Sequence, residues 1–424
     1  MNRAESAMRA GNWQDALRVA ESASLVQRDL IEWHRLRAGR GDFDSTLRFL
    51  ERRGDWPGLK LLRRKSEEAV PVGSRADEVI AFFAAEPPQT GAGAVALVEA
   101  YRAKGQSADA EAEVVRAWLT QILSAADETV LLGRYGDVLS DHNEARLDML
   151  VWRGAHEAAR RMLPRVSDGH RALAEARMAL SEAAAGVDGL IEKVPSALVD
   201  DAGLAYERMQ WRARKGRTED AIDLMLSRSP DELGDPERWA GWRRSFARAD
   251  MRSGRAERAY ELAANHGLTS GSHFADLEWL AGYIALTYQK DGKKALGHFL
   301  RFRGGVDTPI SLGRAGYWEG RAHEAIGDME LARLAYVFGG EYQTSFYGLL
   351  AAEKAGVPMD EELTGRAVYP DWQETTFAAS SVFEVARLLI ATGDRNRAEQ
   401  FLTHLTESLS EPEVGALGDF LIEA

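Results

Sequence analysis

The chain has 424 residues, enough for two or three ordinary domains or one repeat array, and its 45% hydrophobic and 28% charged residues mark a folded protein rather than a disordered one. Asp and Glu number 66 against 53 Lys and Arg, a formal net charge of −13, and no Lys/Arg run builds a basic face, so nucleic acid is not an expected partner. With no cysteine, disulfides, thiolate nucleophiles and Cys-ligated zinc are excluded, and no apolar run of about 20 residues is present to span a membrane.

The opening Met1-Asn2-Arg3-Ala4-Glu5 lacks the apolar core of a secretory signal, so export would need a leader ahead of Met1. From there helix signals dominate, and neither period-2 runs nor Asn-Gly or Asp-Gly hairpin turns argue for strands. Gly11 with Ala16 is the first of six pairs in which alanine follows glycine by five residues; Gly105/Ala110, Gly216/Ala221, Gly254/Ala259, Gly327/Ala332 and Gly393/Ala398 complete the set. Each reads as a helical hairpin. Glycine takes the left-handed conformation that ends one helix, polar residues such as Asn12-Trp13-Gln14-Asp15 start the next, and alanine lets the two backbones approach. Arg40-Gly41-Asp42 reads as an inter-helix turn, and Pro87-Pro88 with Thr90 to Gly93 marks another. Leu277, Leu280, Ala281, Ile284, Ala285 and Tyr288 form one apolar stripe on a helix. Gly304-Gly305 before Pro309 breaks the chain again. Gly356 to Pro370 is the expected linker, with Pro358, Gly365 and Pro370 interrupting any helix. Beyond it, Val382, Val385, Ala386, Leu389 and Ile390 and then Ala398, Phe401, Leu402, Leu405 and Leu409 give two more stripes.

Hairpins of this kind build tetratricopeptide-like solenoids, but only Gly216 to Gly254 approaches the standard period of about 34 residues. The expected fold is therefore all-α, an irregular superhelix of tetratricopeptide-like hairpins.

Motifs that carry chemistry are missing. There is no Gly-x4-Gly-Lys loop, no Gly-x-Gly-x-x-Gly after a strand, no Gly-x-Ser-x-Gly and no Ser-x-x-Lys. His323-Glu324 lacks the second histidine of a metalloprotease helix, and the nine histidines are scattered singly. The residues assign no catalytic group, no metal ligand and no cofactor. Trp239 with Trp242, Tyr317-Trp318 and Phe346-Tyr347 are of the residue types on which sugar rings stack. Packing between helices is the preferred reading, with most of the ring area of Tyr317, Trp318, Phe346 and Tyr347 buried.

The segment Ile310-Ser311-Leu312-Gly313-Arg314-Ala315-Gly316-Tyr317-Trp318-Glu319-Gly320-Arg321-Ala322 continues with Gly327-Asp328, Ala332, Tyr336 and Thr344-Ser345-Phe346-Tyr347-Gly348-Leu349-Leu350-Ala351. It resembles the region that precedes the catalytic domain in soluble lytic murein transglycosylases. Glu32-Trp33 with Leu36-Arg37, Asp55-Trp56-Pro57-Gly58 before Leu62-Arg63-Arg64, Arg146-Leu147-Asp148 through Trp152, and Leu280 through Leu286 are similar to that family as well.

The resemblance implies a superhelix curled into a U or ring (residues 1–356), a linker (357–371) and an incomplete helical linker-domain portion (372–424). It implies a periplasmic location. The expected partners are peptidoglycan glycan strands, a C-terminal catalytic domain and other envelope proteins. Tyr317, Trp318, Arg321, Phe346, Tyr347 and Gly348 become its structural or interface residues. The family's acid–base glutamate lies in Glu-Ser-x-Phe with Gly-Leu-Met-Gln further on. Here Glu5-Ser6, Glu21-Ser22 and Glu407-Ser408 lack both neighbours, so no catalytic residue carries over and the chain alone is expected to be inactive.

Two functions remain open. One is the scaffold region of a transglycosylase, favoured by an end at Leu421-Ile422-Glu423-Ala424 that reads as mid-helix. The other is a free-standing helical-repeat scaffold of the cell envelope. A cytoplasmic tetratricopeptide adaptor fits the hairpins but not the motifs.

Overall fold

The structure, a computed structural model, describes residues 2–365 and 367–424; Met1, in the segment read for a signal, and Arg366, in the expected linker, lie outside the described residues. Among the described residues, 25 α-helices together with six short 3-10 helices make the chain 73% helix, and no strand occurs. The all-α class is as the sequence predicts.

The Gly-x4-Ala pairs explain how the helices are joined. All six glycines have φ between 74° and 86°. All six alanines are at most 2% exposed. Each alanine N–H donates to the carbonyl of the residue just after its glycine at 3.0–3.1 Å, which closes the first turn of the second helix. In each case the two flanking helices pack on one another. The same turn recurs at Gly154 before Ala159. At Lys290 (φ 58°) before Ala295, lysine occupies the left-handed position. Arg40-Gly41-Asp42 lies between two helices as expected, in a connection that follows the turn at Ala38-Gly39, with the extended Asp42 capping helix Phe43–Arg52 by accepting from Ser45 N–H at 2.7 Å.

The chain divides into two compact units. One comprises residues through Val166 together with Val368–Ala424. In its core, Leu30, Trp33 and Leu36 of helix Leu25–Arg37 and the nearby Phe49, Trp56 and Leu62 meet Phe377, Phe383, Phe401 and Phe420 from the end of the chain. Phe401, on helix Arg395–Thr406, lies between Trp33 and Trp56, at 5.3 and 5.4 Å between ring centroids, edge-on to both. The indole nitrogens are satisfied: Trp33 donates to Pro57 O at 3.0 Å and Trp56 to Ser381 Oγ at 2.9 Å. Each ring fully buried here contributes about 1.5–3 kcal/mol of transfer free energy. Arg146 is also buried in this unit, over Trp118 at 4.1 Å and paired with Glu128 at 2.8 Å, a structural role for a residue in one of the family-like stretches.

The other unit is Ser167–Ala367. Its helix Gly271–Thr287 buries Leu277, Leu280, Ala281, Ile284 and Ala285 as the stripe predicts. Tyr288, read as the stripe's last member, instead caps the helix and is 42% exposed, because the helix ends one residue before it. The unit closes with helices Pro309–Ile326, Met329–Gly340 and Phe346–Ala355, the last ended by Gly356 at φ 69°. No helix among the described residues is long and apolar enough to cross a membrane.

Candidate functional site

Helix Pro309–Ile326 carries Gly313, Gly316 and Gly320 at spacings of three and four, so they share one edge of the helix. A Cβ at Gly316 would lie 2.5 Å from Gly339 Cα. One at Gly313 would meet Ser345 Oγ at 2.4 Å, and one at Gly320 would meet the Tyr336 ring at 2.4 Å. Gly348 is as confined, with its Cβ position 1.8 Å from Tyr342 O. Three helices are thus in near-backbone contact, and the glycines of the Tyr-Trp-x-Gly and Phe-Tyr-Gly motifs are there for packing.

That packing brings the expected residues together. The Tyr347 ring lies 5.5 Å from Tyr317 and 6.0 Å from Trp318. Arg321 Nη1 donates to Tyr317 Oη at 3.1 Å, and Arg321 pairs with Glu324 at 3.4 Å. Burial, then the Glu324 carboxylate, raises the pKa of the Tyr336 hydroxyl, which stays protonated.

The rings differ in exposure. Trp318 is 9% exposed and lodged against Phe299, as packing requires, while Tyr317 and Tyr347 are half-buried. Phe346 departs from the expectation. It is the first residue of its helix, meets Tyr347 edge-on at 5.2 Å, and is 69% exposed.

The cluster reaches further than the motifs suggest. Trp279 and Tyr283 stack at 5.3 Å on helix Gly271–Thr287 and both meet Trp318. Arg314 lies over Trp279 at 5.3 Å and over Tyr347 at 5.5 Å. None of the three is among the expected site residues, although Arg314 and Tyr283 fall in the family-like stretches and the i, i+4 spacing of Trp279 and Tyr283 is a readable signal. Half-open rings with guanidiniums beside them can stack a sugar face and donate to its oxygens.

The carboxylates offer less. Glu21 and Glu407 are exposed, and Glu407 pairs with His404 at 3.2 Å; neither has the apolar enclosure that a general acid needs. The Glu5 side chain lies outside the described residues. Glu319, beside Trp318, is buried and its pKa is raised by burial, but Arg303 holds it at 3.1 Å. Among the described residues, no group of three His, Cys, Asp or Glu is placed to hold a metal ion.

No protein-family model matches the chain, and no curated protein matches it in sequence. Among solved structures it is similar to an inactive variant of the lytic transglycosylase Slt from Pseudomonas aeruginosa, at 16% identity and a TM-score of 0.57 over 100% of this chain and 68% of that one. At that identity the likeness shows the fold, an all-α superhelical arrangement of helices.

Proposed function

We propose that this chain is the non-catalytic superhelical region of a lytic transglycosylase-type protein of the cell envelope. In this reading it works in the periplasm on peptidoglycan, holds glycan strands, and positions a catalytic domain supplied beyond it. The observation that carries the reading is the likeness of fold along the whole chain to a lytic transglycosylase. The aromatic and arginine cluster supports a glycan contact. Trp318 anchors it from within, and Tyr317, Tyr347 and the exposed Phe346 offer ring faces beside Arg314 and Arg321.

Titration with soluble peptidoglycan glycan fragments tests the contact. Phe346→Ala and Tyr347→Ala are expected to fold normally and bind about tenfold more weakly, a loss of ~1.4 kcal/mol. Binding equal to that of the parent chain in both variants would refute the platform.

A further inference from the structure

Where the C-terminal helices meet helix Leu25–Arg37 in the first unit, a cavity of about 390 Å³ is lined by Trp13, Trp33, His34, Arg37, Arg397 and Gln400. No carboxylate lines it, although acidic residues outnumber basic ones in the chain by 66 to 53. Its two arginines come from opposite ends of the sequence. Arg37 ends its helix, where a cation is favoured by the helix dipole; Arg397 lies in the first turn of helix Arg395–Thr406, where an anion is favoured.

The Arg37 guanidinium lies over the Trp33 ring, 4.0 Å from its centroid. Among the described residues it has no ion pair or hydrogen bond, and neither does the Gln400 carboxamide. Arg397 pairs with Asp394, while the charge beside Arg37 is that of Arg397. Gly58, at φ 73°, makes room for both unpartnered groups: a Cβ there would lie 3.2 Å from Arg37 Cζ and 3.3 Å from Gln400 Nε2. His34 stands edge-on to Trp33, and burial, then Arg397 and Arg37, hold its imidazole down to about 3, so it faces the cavity neutral.

Like charges brought together in a partly buried hollow are unfavourable unless an anion is supplied. A guanidinium fork and a carboxamide both present N–H donors suited to a planar two-oxygen anion. Trp13, Met8 and Leu61 add apolar surface for a carbon body. We propose that this cavity binds a small organic carboxylate, either a free acid or the C-terminal carboxylate of a short peptide. Arg37, Arg397 and Gln400 hold its oxygens, and Trp13 lies against its body.

Calorimetric titration of the full chain at low ionic strength, with N-acetyl-alanyl-alanine, its C-terminal amide, propionate and inorganic phosphate, tests this. The acid is expected to bind and the amide to bind at least about tenfold more weakly. Arg397→Gln and Arg37→Gln are each expected to weaken the acid about tenfold, and Arg397→Gln, which leaves the Trp33 stack intact, at unchanged melting temperature. Propionate matching the dipeptide assigns the site to free acids; a tighter dipeptide assigns it to peptide termini. The proposal is overturned if acid and amide bind alike, if no carboxylate binds at millimolar concentration, or if phosphate binds as tightly as the acid.

Discussion

Replacing Gly316 by alanine tests the near-backbone crossing beneath the aromatic cluster. The new Cβ would lie 2.5 Å from Gly339 Cα and N, and 2.7 Å from Ala335 O. Carbon contacts are relaxed at about 3.5–4.0 Å, so helices Pro309–Ile326 and Met329–Gly340 must part by about 1 Å. All three obstructing atoms are backbone, so no side chain can rotate away. Overpacking costs about 1–3 kcal/mol, and an obstruction made of backbone alone places this one at about 2–3 kcal/mol, against roughly 1 kcal/mol gained from replacing glycine inside a helix. The net loss is about 1–2 kcal/mol, and at ~2–4 °C per kcal/mol the unit should melt roughly 2–8 °C lower. Gly241→Ala is the control. That glycine is inside helix Pro236–Arg252 of the same unit, and its Cβ would meet no heavy atom within 4 Å. There the same substitution should raise the melting temperature by about 2–4 °C. Differential scanning calorimetry of both variants decides. A Gly316→Ala chain that melts at or above the parent, with Gly241→Ala stabilised as expected, would refute the crossing.

Three further outcomes follow from the packing and the charges. Ala398→Leu overpacks the hairpin turned by Gly393 and should cost about 1–3 kcal/mol in urea unfolding, whereas unchanged stability would argue against a close crossing there. Phe401→Ala removes the ring that both Trp33 and Trp56 meet and should cost about 3–5 kcal/mol by the same measurement; a loss below about 1 kcal/mol would show that the terminal helices do not share this core. Burial alone would raise the Glu278 carboxyl, but hydrogen bonds with His266 at 3.2 Å, His298 at 2.6 Å and Arg301 at 2.9 Å outweigh it and hold it below the usual carboxylate range. Its folded pKa is thus depressed, so its stabilisation is present above the unfolded value of about 4.3 and is lost as pH falls below that. Glu278→Gln should flatten the fall in stability between about pH 5 and pH 3, and an unchanged slope would show that another group controls it.

What the sequence discloses is local. A glycine that needs a left-handed turn and an alanine five residues on are both visible in one short stretch, and at all six such stretches the turn and the buried alanine are found. Lys290 makes the same turn without glycine, held by Asp291 N–H donating to Ala285 O at 3.0 Å, a contact that composition does not signal. The exposure of Phe346 was illegible because its dipeptide partner Tyr347 turns inward, and neighbours on a helix point about 100° apart. Contacts between distant segments left no trace in periodicity. The meeting of Phe401 with Trp33 and Trp56, and that of Arg397 with Arg37, each join residues more than 300 positions apart. The Tyr-Trp and Phe-Tyr-Gly motifs were legible as a pair, but their glycines act through backbone contact, and Arg314, Trp279 and Tyr283 join them only in three dimensions.

Incubation of the purified chain with peptidoglycan sacculi tests the proposed function most directly, with the pelleted protein quantified and the supernatant read by mass spectrometry. The account predicts that part of the chain sediments with the sacculi and that no 1,6-anhydro muropeptides appear above a heat-killed control. Retention would rest on ring stacking and hydrogen bonds, since a chain of net charge −13 gains nothing from bulk attraction to an anionic wall, and it should therefore persist in added salt. Release of anhydro products would contradict the account by revealing a catalytic carboxylate, and a chain left wholly in the supernatant would contradict it by removing peptidoglycan as a partner.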